Sequence, residues 1–450
     1  MTLPTRPFVA SFERRGHLAV ATVLVAAFVT GGGAADHGMG DAFTQLLALP
    51  LFAWAALALM AMPANGMRRA AIGMAALVVA IAALQQLPLP EALWRHVAVR
   101  DALAGDLHAA GVDGAGQRWS LSPLASERSL WSLLPALAVF LGTLALPPIR
   151  QRGMLLLLVA LATASLVLGY LQLGAPQDSL LNPFPQWAPV LNGLFANPNH
   201  QAAALAISVI VIVVLLLDER GRQPPMLPRW SHFALAALAL VLFASLPLAG
   251  SRAVFLLAVL GLVAVPLLLR DRRRRPGESG TRTWLVRGGL AMLAVGAITS
   301  AIGWLQFDFA HEVRGSVARA TAAMGIELAP WGAGVGSFVP WFDQNAPASL
   351  VQREYFNHAH NEYVQWWLES GVAGALAVLA ALALMLACYP RRARPARADG
   401  DHAVAVAAWL GCLLLLLHSL VDYPLRTPAL MTVAALLAGI VVVQRAAAPR

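Results

Sequence analysis

The sequence predicts an all-α integral membrane protein, a single polytopic domain over residues 1–450 with roughly twelve transmembrane helices. Three observations carry this. Hydrophobic residues make up 59% of the chain and charged residues 12%, a ratio soluble domains rarely reach. Apolar runs recur at lengths near the ~20 residues a helix needs to cross a bilayer. Every basic residue is an arginine, and the arginines gather between those runs. A net charge of +9 would suit nucleic acid, but this distribution is what membrane orientation produces, so no nucleic-acid partner is expected. The two cysteines, Cys388 and Cys412, both fall inside apolar runs, which suggests neither a disulfide framework nor a zinc site.

Taken in order, Leu18 to Thr30 follows Arg6, Arg14 and Arg15 and resembles a signal peptide, with Gly33-Ala34-Ala35 as a loose cleavage site. The alternation of later spans requires this segment, so it is expected to stay as the first helix. The next runs are Phe43–Met62, Ala70–Leu87, Leu130–Leu146, Met154–Leu173 and Gln201–Leu217. After these come Phe233–Ala249, Ala253–Leu269, Gly288–Trp304, Tyr363–Ala387, Ala403–Val421 and Thr427–Val443. Of the 32 arginines, all but Arg95, Arg100, Arg118, Arg128, Arg252, Arg314, Arg319, Arg353 and Arg426 lie in alternate connections. The positive-inside rule then puts both termini in the cytoplasm and residues 88–129, 174–200 and 306–361 on the outer face. The basic run Arg270 to Arg275 is cytoplasmic on this reading and meets membrane lipid.

The chemically equipped stretch is Asn357 to Gly374, where polar, titratable and aromatic residues lead straight into an apolar run. The outer face has no ATP, and Gly332-Ala333-Gly334-Val335-Gly336 lacks the lysine of a nucleotide loop. A reaction there needs an already activated donor, such as a membrane lipid bearing a glycan on a diphosphate. It also needs a base for the acceptor hydroxyl and cations or N–H groups for the departing diphosphate. His360, at or just before the N-terminus of the Tyr363 helix, is the candidate base, with Asn361 or Asn357 as N-cap. A helix N-terminus favours a neutral imidazole and attracts anions. Arg252 stands at the start of a span on the outer side, where its planar fork suits diphosphate oxygens, although a snorkelling anchor fits the same position.

Other candidates keep two readings open. Asn197, Asn199 and His200 either orient a sugar or cap the following helix. His418 and Asp422, four apart, are read as sharing a helical face, with Asp422 and Arg426 an alternative local pair. His358 and His360 with His311 and Glu362 lack the spacing of a zinc site, so no metal or cofactor is expected. Trp341, Trp366 and Trp367 read as an interface belt before a carbohydrate platform.

These residues resemble the bacterial O-antigen ligase and Wzy-type polymerase superfamily. The resemblance rests on His358-Ala-His360-Asn361-Glu362-Tyr363-Val-Gln365 followed by Glu369-Ser-Gly371-Val-Ala-Gly374. Gly332 to Phe338, Gly193-Leu-Phe195-Ala-Asn197-Pro-Asn199-His200, Ser251-Arg252-Ala253 and His418-Ser-Leu-Val-Asp422-Tyr-Pro424 add to it, in matching order, with the most similar region at about 192–380. The resemblance implies a mostly helical, GT-C-like membrane glycosyltransferase, independent of metal, with a large periplasmic loop before a late span. It implies an undecaprenyl-diphosphate-linked glycan as donor, His360 as the catalytic histidine and Arg252 as the arginine that holds the diphosphate. Many members carry a second arginine just before the Gly-x-Phe-x-Asn motif. Here Pro189, Val190, Leu191 and Asn192 stand there, so Arg314, Arg319, Arg353 or another outer arginine must complete the diphosphate clamp. His358, Asn361, Asn197, Asn199 and His200 complete the expected substrate contacts.

The resulting expectation is an inner-membrane enzyme of surface-polysaccharide biosynthesis, a ligase or polymerase. Its acceptor is lipid A core, a growing glycan or a protein hydroxyl, the last as in O-oligosaccharyltransferases. A transporter or flippase of a lipid-linked glycan is the alternative from a different class. It predicts ionisable pairs near the midplane, whereas the polar groups here gather at the outer edge.

Overall fold

The computed structural model describes residues 5–33, 38–112, 118–185, 190–221, 227–269, 313–350, 356–391 and 401–447. Among the described residues the regular structure is helical, with one isolated antiparallel bridge between Pro88 and Arg118. The helices are α1 Thr5–Thr30, α2 Met39–Ala61, α3 Gly66–Leu84, α4 Glu91–Trp94, α5 Ala98–Ala109, α6 Pro123–Ala145, α7 Pro148–Leu173 and α8 Pro198–Gly221. They continue with α9 Arg229–Ser245, α10 Arg252–Leu269, α11 Val313–Glu327, α12 Phe338–Asn345, α13 Glu362–Ala387, α14 His402–His418 and α15 Pro428–Ala447.

Every apolar run expected as a span falls largely on one of these helices, except Gly288–Trp304, which falls outside the described residues. Phe43–Met62, Ala70–Leu87, Leu130–Leu146, Phe233–Ala249, Ala403–Val421 and Thr427–Val443 extend one to four residues past a helix end. Nine helices among the described residues are long and apolar enough to cross a membrane: α2, α3, α6 to α10, α13 and α15. A 23-residue helix such as α2 reaches about 35 Å at 1.5 Å per residue, more than the hydrocarbon thickness. α14 is apolar but shorter at 17 residues, and α1 carries Glu13, Arg14 and Arg15 within its length. Together these helices make a multi-pass membrane protein.

Helix starts follow local chemistry. Pro123, Pro148, Pro198 and Pro428 occupy first helical positions, where a missing N–H costs nothing. Asn65 caps α3, its side-chain oxygen accepting from the Met67 and Arg68 amides at 3.0 and 3.2 Å.

The chain forms two compact units. The first comprises Met1–Leu146, Glu312–Tyr389 and Ser419–Ala446. In it α1, α2 and α6 pack on one another, α3 lies against α6 and α13, and α11 and α12 lie against α13. The second comprises Pro147–His311, Pro390–His418 and Ala447–Arg450. Its centre is α8, which touches α7, α9, α10 and α14. A helix apolar all round must be surrounded, and Ala202 to Ile212 of α8 are buried at every position.

The first unit contains a broken helix. Gly371 interrupts α13 with φ 55° and ψ −142°, a conformation open to glycine because it has no Cβ. The glycine-rich segment 332–336 fills the break: Ala333 N and Gly334 N donate to Leu368 O and Glu369 O at 2.8 Å, and Val372 N donates to Pro330 O at 3.0 Å. A Cβ at Gly371 would collide with the Pro330 carbonyl, and one at Gly332 with the Glu369 carbonyl. Buried Gln85 ties both sides together, donating to Glu369 O at 3.0 Å and accepting from Val335 N at 2.8 Å. Arg100, also fully buried, donates from Nη2 to Trp119 O at 2.8 Å and Gly332 O at 2.6 Å. Burial pushes its guanidinium down to about 10, so it stays charged at neutral pH.

Candidate active site

The site in the first unit is assembled from the residues leading into α13 and the turn that follows residue 418. Asn361 is the N-cap of α13, with extended backbone and a side-chain oxygen 3.1 Å from both the Tyr363 and Val364 amides. Its amide nitrogen donates to Leu420 O at 2.9 Å, and Glu362 N donates to Ser419 O at 2.9 Å. The helix entrance is thereby fastened to the turn, which brings the residues of that turn beside His360.

His360 has φ 51°, the one non-glycine residue with positive φ among the described residues. Histidine enters this region more readily than most residues, but a single such position beside a titratable cluster marks a functional constraint. Its Nδ1 lies 3.4 Å from Oδ1 of Asp422, whose side chain is 1% exposed. That distance is a polar contact longer than an aligned hydrogen bond. With Nδ1 facing the carboxylate, Nε2 is the ring nitrogen left with its lone pair toward the site. Tyr423 stands between the two histidines, its ring centroid 5.0 Å from that of His360 and 4.3 Å from that of His358.

Beneath the histidines lies a buried charge network. Arg426 places Nε 3.2 Å from Glu362 Oε2 and Nη1 2.8 Å from Glu369 Oε2, over the Trp366 ring. The two carboxylates, Glu369 first, outweigh burial and hold this guanidinium in its charged form. Glu362 Oε1 also accepts from Leu425 N at 2.7 Å. Gln365 links the network to the histidines, contacting Glu369 Oε1 at 3.0 Å and His358 Nδ1 at 3.2 Å. A guanidinium already committed to two carboxylates has little left to offer a diphosphate.

The reading of His418 and Asp422 on one helical face needs correction. α14 ends at His418, Asp422 lies in the turn beyond it, and Asp422 meets His360 while Arg426 turns to the two glutamates. Pro424 follows closely and disfavours helical geometry at Tyr423 just ahead of it. Among the other candidates of this unit, Arg314 and Arg319 are exposed on α11, Arg319 donating to Ser316 Oγ at 3.0 Å. Arg353 and His311 lie outside the described residues. Trp366 packs with Arg426, and Trp367 lies against Gly325 of α11.

The second unit holds the remaining candidates. Asn197 caps α8: its side-chain oxygen accepts from Asn199 N at 2.9 Å, and its backbone carbonyl from Gln201 N at 3.3 Å. His200, buried, lies 3.4 Å from the Asn197 amide nitrogen and edge-on to His418, ring centroids 6.3 Å apart. Gly193, φ 58°, is pinned by Gln172, which accepts from Gly193 N at 2.9 Å and donates to Gly193 O at 2.8 Å. Arg252 is the first residue of α10, exposed, directly after Gly250 in left-handed conformation and Ser251.

Sequence reasoning gave Gln365 and Glu369 no role beyond the motif they belong to and missed the double pairing of Arg426. Their signal was present: Glu362, Gln365 and Glu369 recur at i, i+3 and i+7, a polar stripe on one face of an otherwise apolar helix. Among the described residues no group of three or more His, Cys, Asp or Glu side chains is placed to share a metal ion.

A multi-pass helical membrane protein with a histidine–carboxylate pair at the mouth of a broken helix is thus the class defined by fold and site. Residues 237–379 match the family model described as O-antigen ligase, which supports the superfamily resemblance carried by the motifs. The matched stretch contains Arg252 and His360. No curated protein matches the chain.

Proposed function

We propose that the protein is a membrane glycosyltransferase that takes glycan from an undecaprenyl-diphosphate-linked donor and transfers or polymerises it at the periplasmic face. The observation that carries the reading is the pairing of His360, in left-handed conformation, with buried Asp422. In the proposed step, His360 Nε2 removes the acceptor hydroxyl proton as the acceptor oxygen bonds to the anomeric carbon. The bond from that carbon to phosphate breaks, and the electron pair leaves with the lipid diphosphate. Asp422 stabilises the imidazolium. Arg252 holds the diphosphate, a part taken from the family resemblance, with Arg314, Arg319 or Arg353 completing the clamp. The acceptor is lipid A core, a growing glycan or a protein.

The test is a surface-glycan and lipid-linked-glycan profile of the host lacking this chain, complemented with the wild type or with His360→Ala. Accumulation of long lipid-linked chains, none transferred, in deletion and variant alike defines a ligase; single repeats define a polymerase. A wild-type profile restored by His360→Ala would remove the catalytic assignment and leave transport of the lipid-linked glycan as the better account.

A further inference from the structure

The histidines two positions apart, His358 and His360, are not equivalent, and the difference follows from the amide of Gln365. Its side chain is 1% exposed, and three neighbours reach it. The Ala359 amide donates to Oε1 at 3.0 Å, and a backbone N–H can only donate, so the atom facing it must be oxygen. The other end stands 3.0 Å from Glu369 Oε1, and Glu369 Oε2 is held at 2.8 Å by Arg426 Nη1. A carboxylate paired with a guanidinium only accepts, so the atom facing it must be the amide nitrogen. Two independent neighbours thus forbid the flipped amide.

The amide nitrogen has a second hydrogen, and 3.2 Å away lies His358 Nδ1. A nitrogen facing a fixed donor has to present its lone pair. An Nδ1 proton, in the other tautomer or in the imidazolium, would point at that N–H.

We propose that Arg426, Glu369 and Gln365 form a positioning relay that fixes His358 as the neutral Nε2–H tautomer. The proton of His358 then sits on Nε2 and its Nδ1 lone pair is committed to Gln365, so His358 is a positioning residue and not a second base. His360 has the opposite arrangement, with Nδ1 toward Asp422 and the Nε2 lone pair available. Of the two histidines, one has its lone pair tied up and the other keeps it for the acceptor hydroxyl. The catalytic significance rests on the glycosyltransferase reading, whereas the tautomer assignment stands on the resting protein alone.

The experiment is solid-state NMR of the full chain in lipid nanodiscs, labelled with ¹⁵N-histidine, at about pH 8, above the ordinary histidine range. Comparison with His358→Asn assigns the resonances. The wild type is expected to show a protonated Nε2 and an unprotonated Nδ1 at His358. Gln365→Glu offers Nδ1 an acceptor and should move the proton there, shifting the Nδ1 resonance to the protonated position. Gln365→Leu should give a mixture of tautomers. If Gln365→Glu does not fold, the wild-type and Gln365→Leu spectra decide. An Nδ1 proton in the wild type overturns the proposal, as does an Nε2–H signal undiminished in the variants that fold. Since the readout is a nitrogen shift in resting protein, a failed glycan-transfer reading would show instead in the His360→Ala complementation and leave this result standing.

Discussion

A histidine is a useful base only if its second nitrogen is kept occupied, and Asp422 is placed to do this for His360. Asp422→Asn is therefore expected to lower kcat for glycan transfer by about 10²- to 10⁴-fold, with little change in KM or membrane abundance, in a reconstituted assay with lipid-linked donor. The backbone of His360 gives a second prediction. Asparagine tolerates left-handed φ as well as histidine does, so His360→Asn should keep the thermal midpoint of the wild type in detergent while abolishing transfer. A large fall in midpoint would mean that the imidazole serves the fold. His360 stood out in the sequence because polar residues crowded the start of an apolar run. The partnership with Asp422 did not, because spacing along a chain says nothing about a turn folding back over a helix entrance. Pro424 was the available hint that the helix stopped early.

At the scale of elements, the apolar runs on described residues were all legible as helices, since length and hydropathy suffice for that. The break in α13 was not. Gly371 and Gly374 stand three apart in the same apolar run, and only the segment 332–336 wedged against residues 368–372 shows which one carries strain. Gly371→Ala should destabilise the protein by about 2 kcal/mol or more, from the left-handed penalty plus the collision with the Pro330 carbonyl. Gly66→Ala, whose Cβ would meet nothing within 4 Å, is the matched control and should leave the midpoint in place. The charge network argues likewise. Arg426→Leu strands Glu362 and Glu369 as buried carboxylates and should cost about 3–5 kcal/mol, read as a fall in detergent-solubilised yield and thermal midpoint. Adding Glu369→Gln should recover part of that loss.

For the molecule as a whole, the arginine pattern makes a prediction about sidedness. Leu180, fully exposed after α7, should be labelled as Leu180→Cys by a membrane-impermeant maleimide in intact spheroplasts. Ala64→Cys, in the exposed turn between α2 and α3, should react only after permeabilisation. Cys388 and Cys412 are buried, which keeps the background low. The reverse pattern would overturn the proposed orientation. The two units leave and re-enter one another along the chain, with residues 390–418 of the second lying between two pieces of the first. His360 is translated before that insertion and Asp422 after it, so the whole of residues 390–418 must be made before the two can meet. A nascent chain stopped inside that insertion therefore holds His360 without its carboxylate partner.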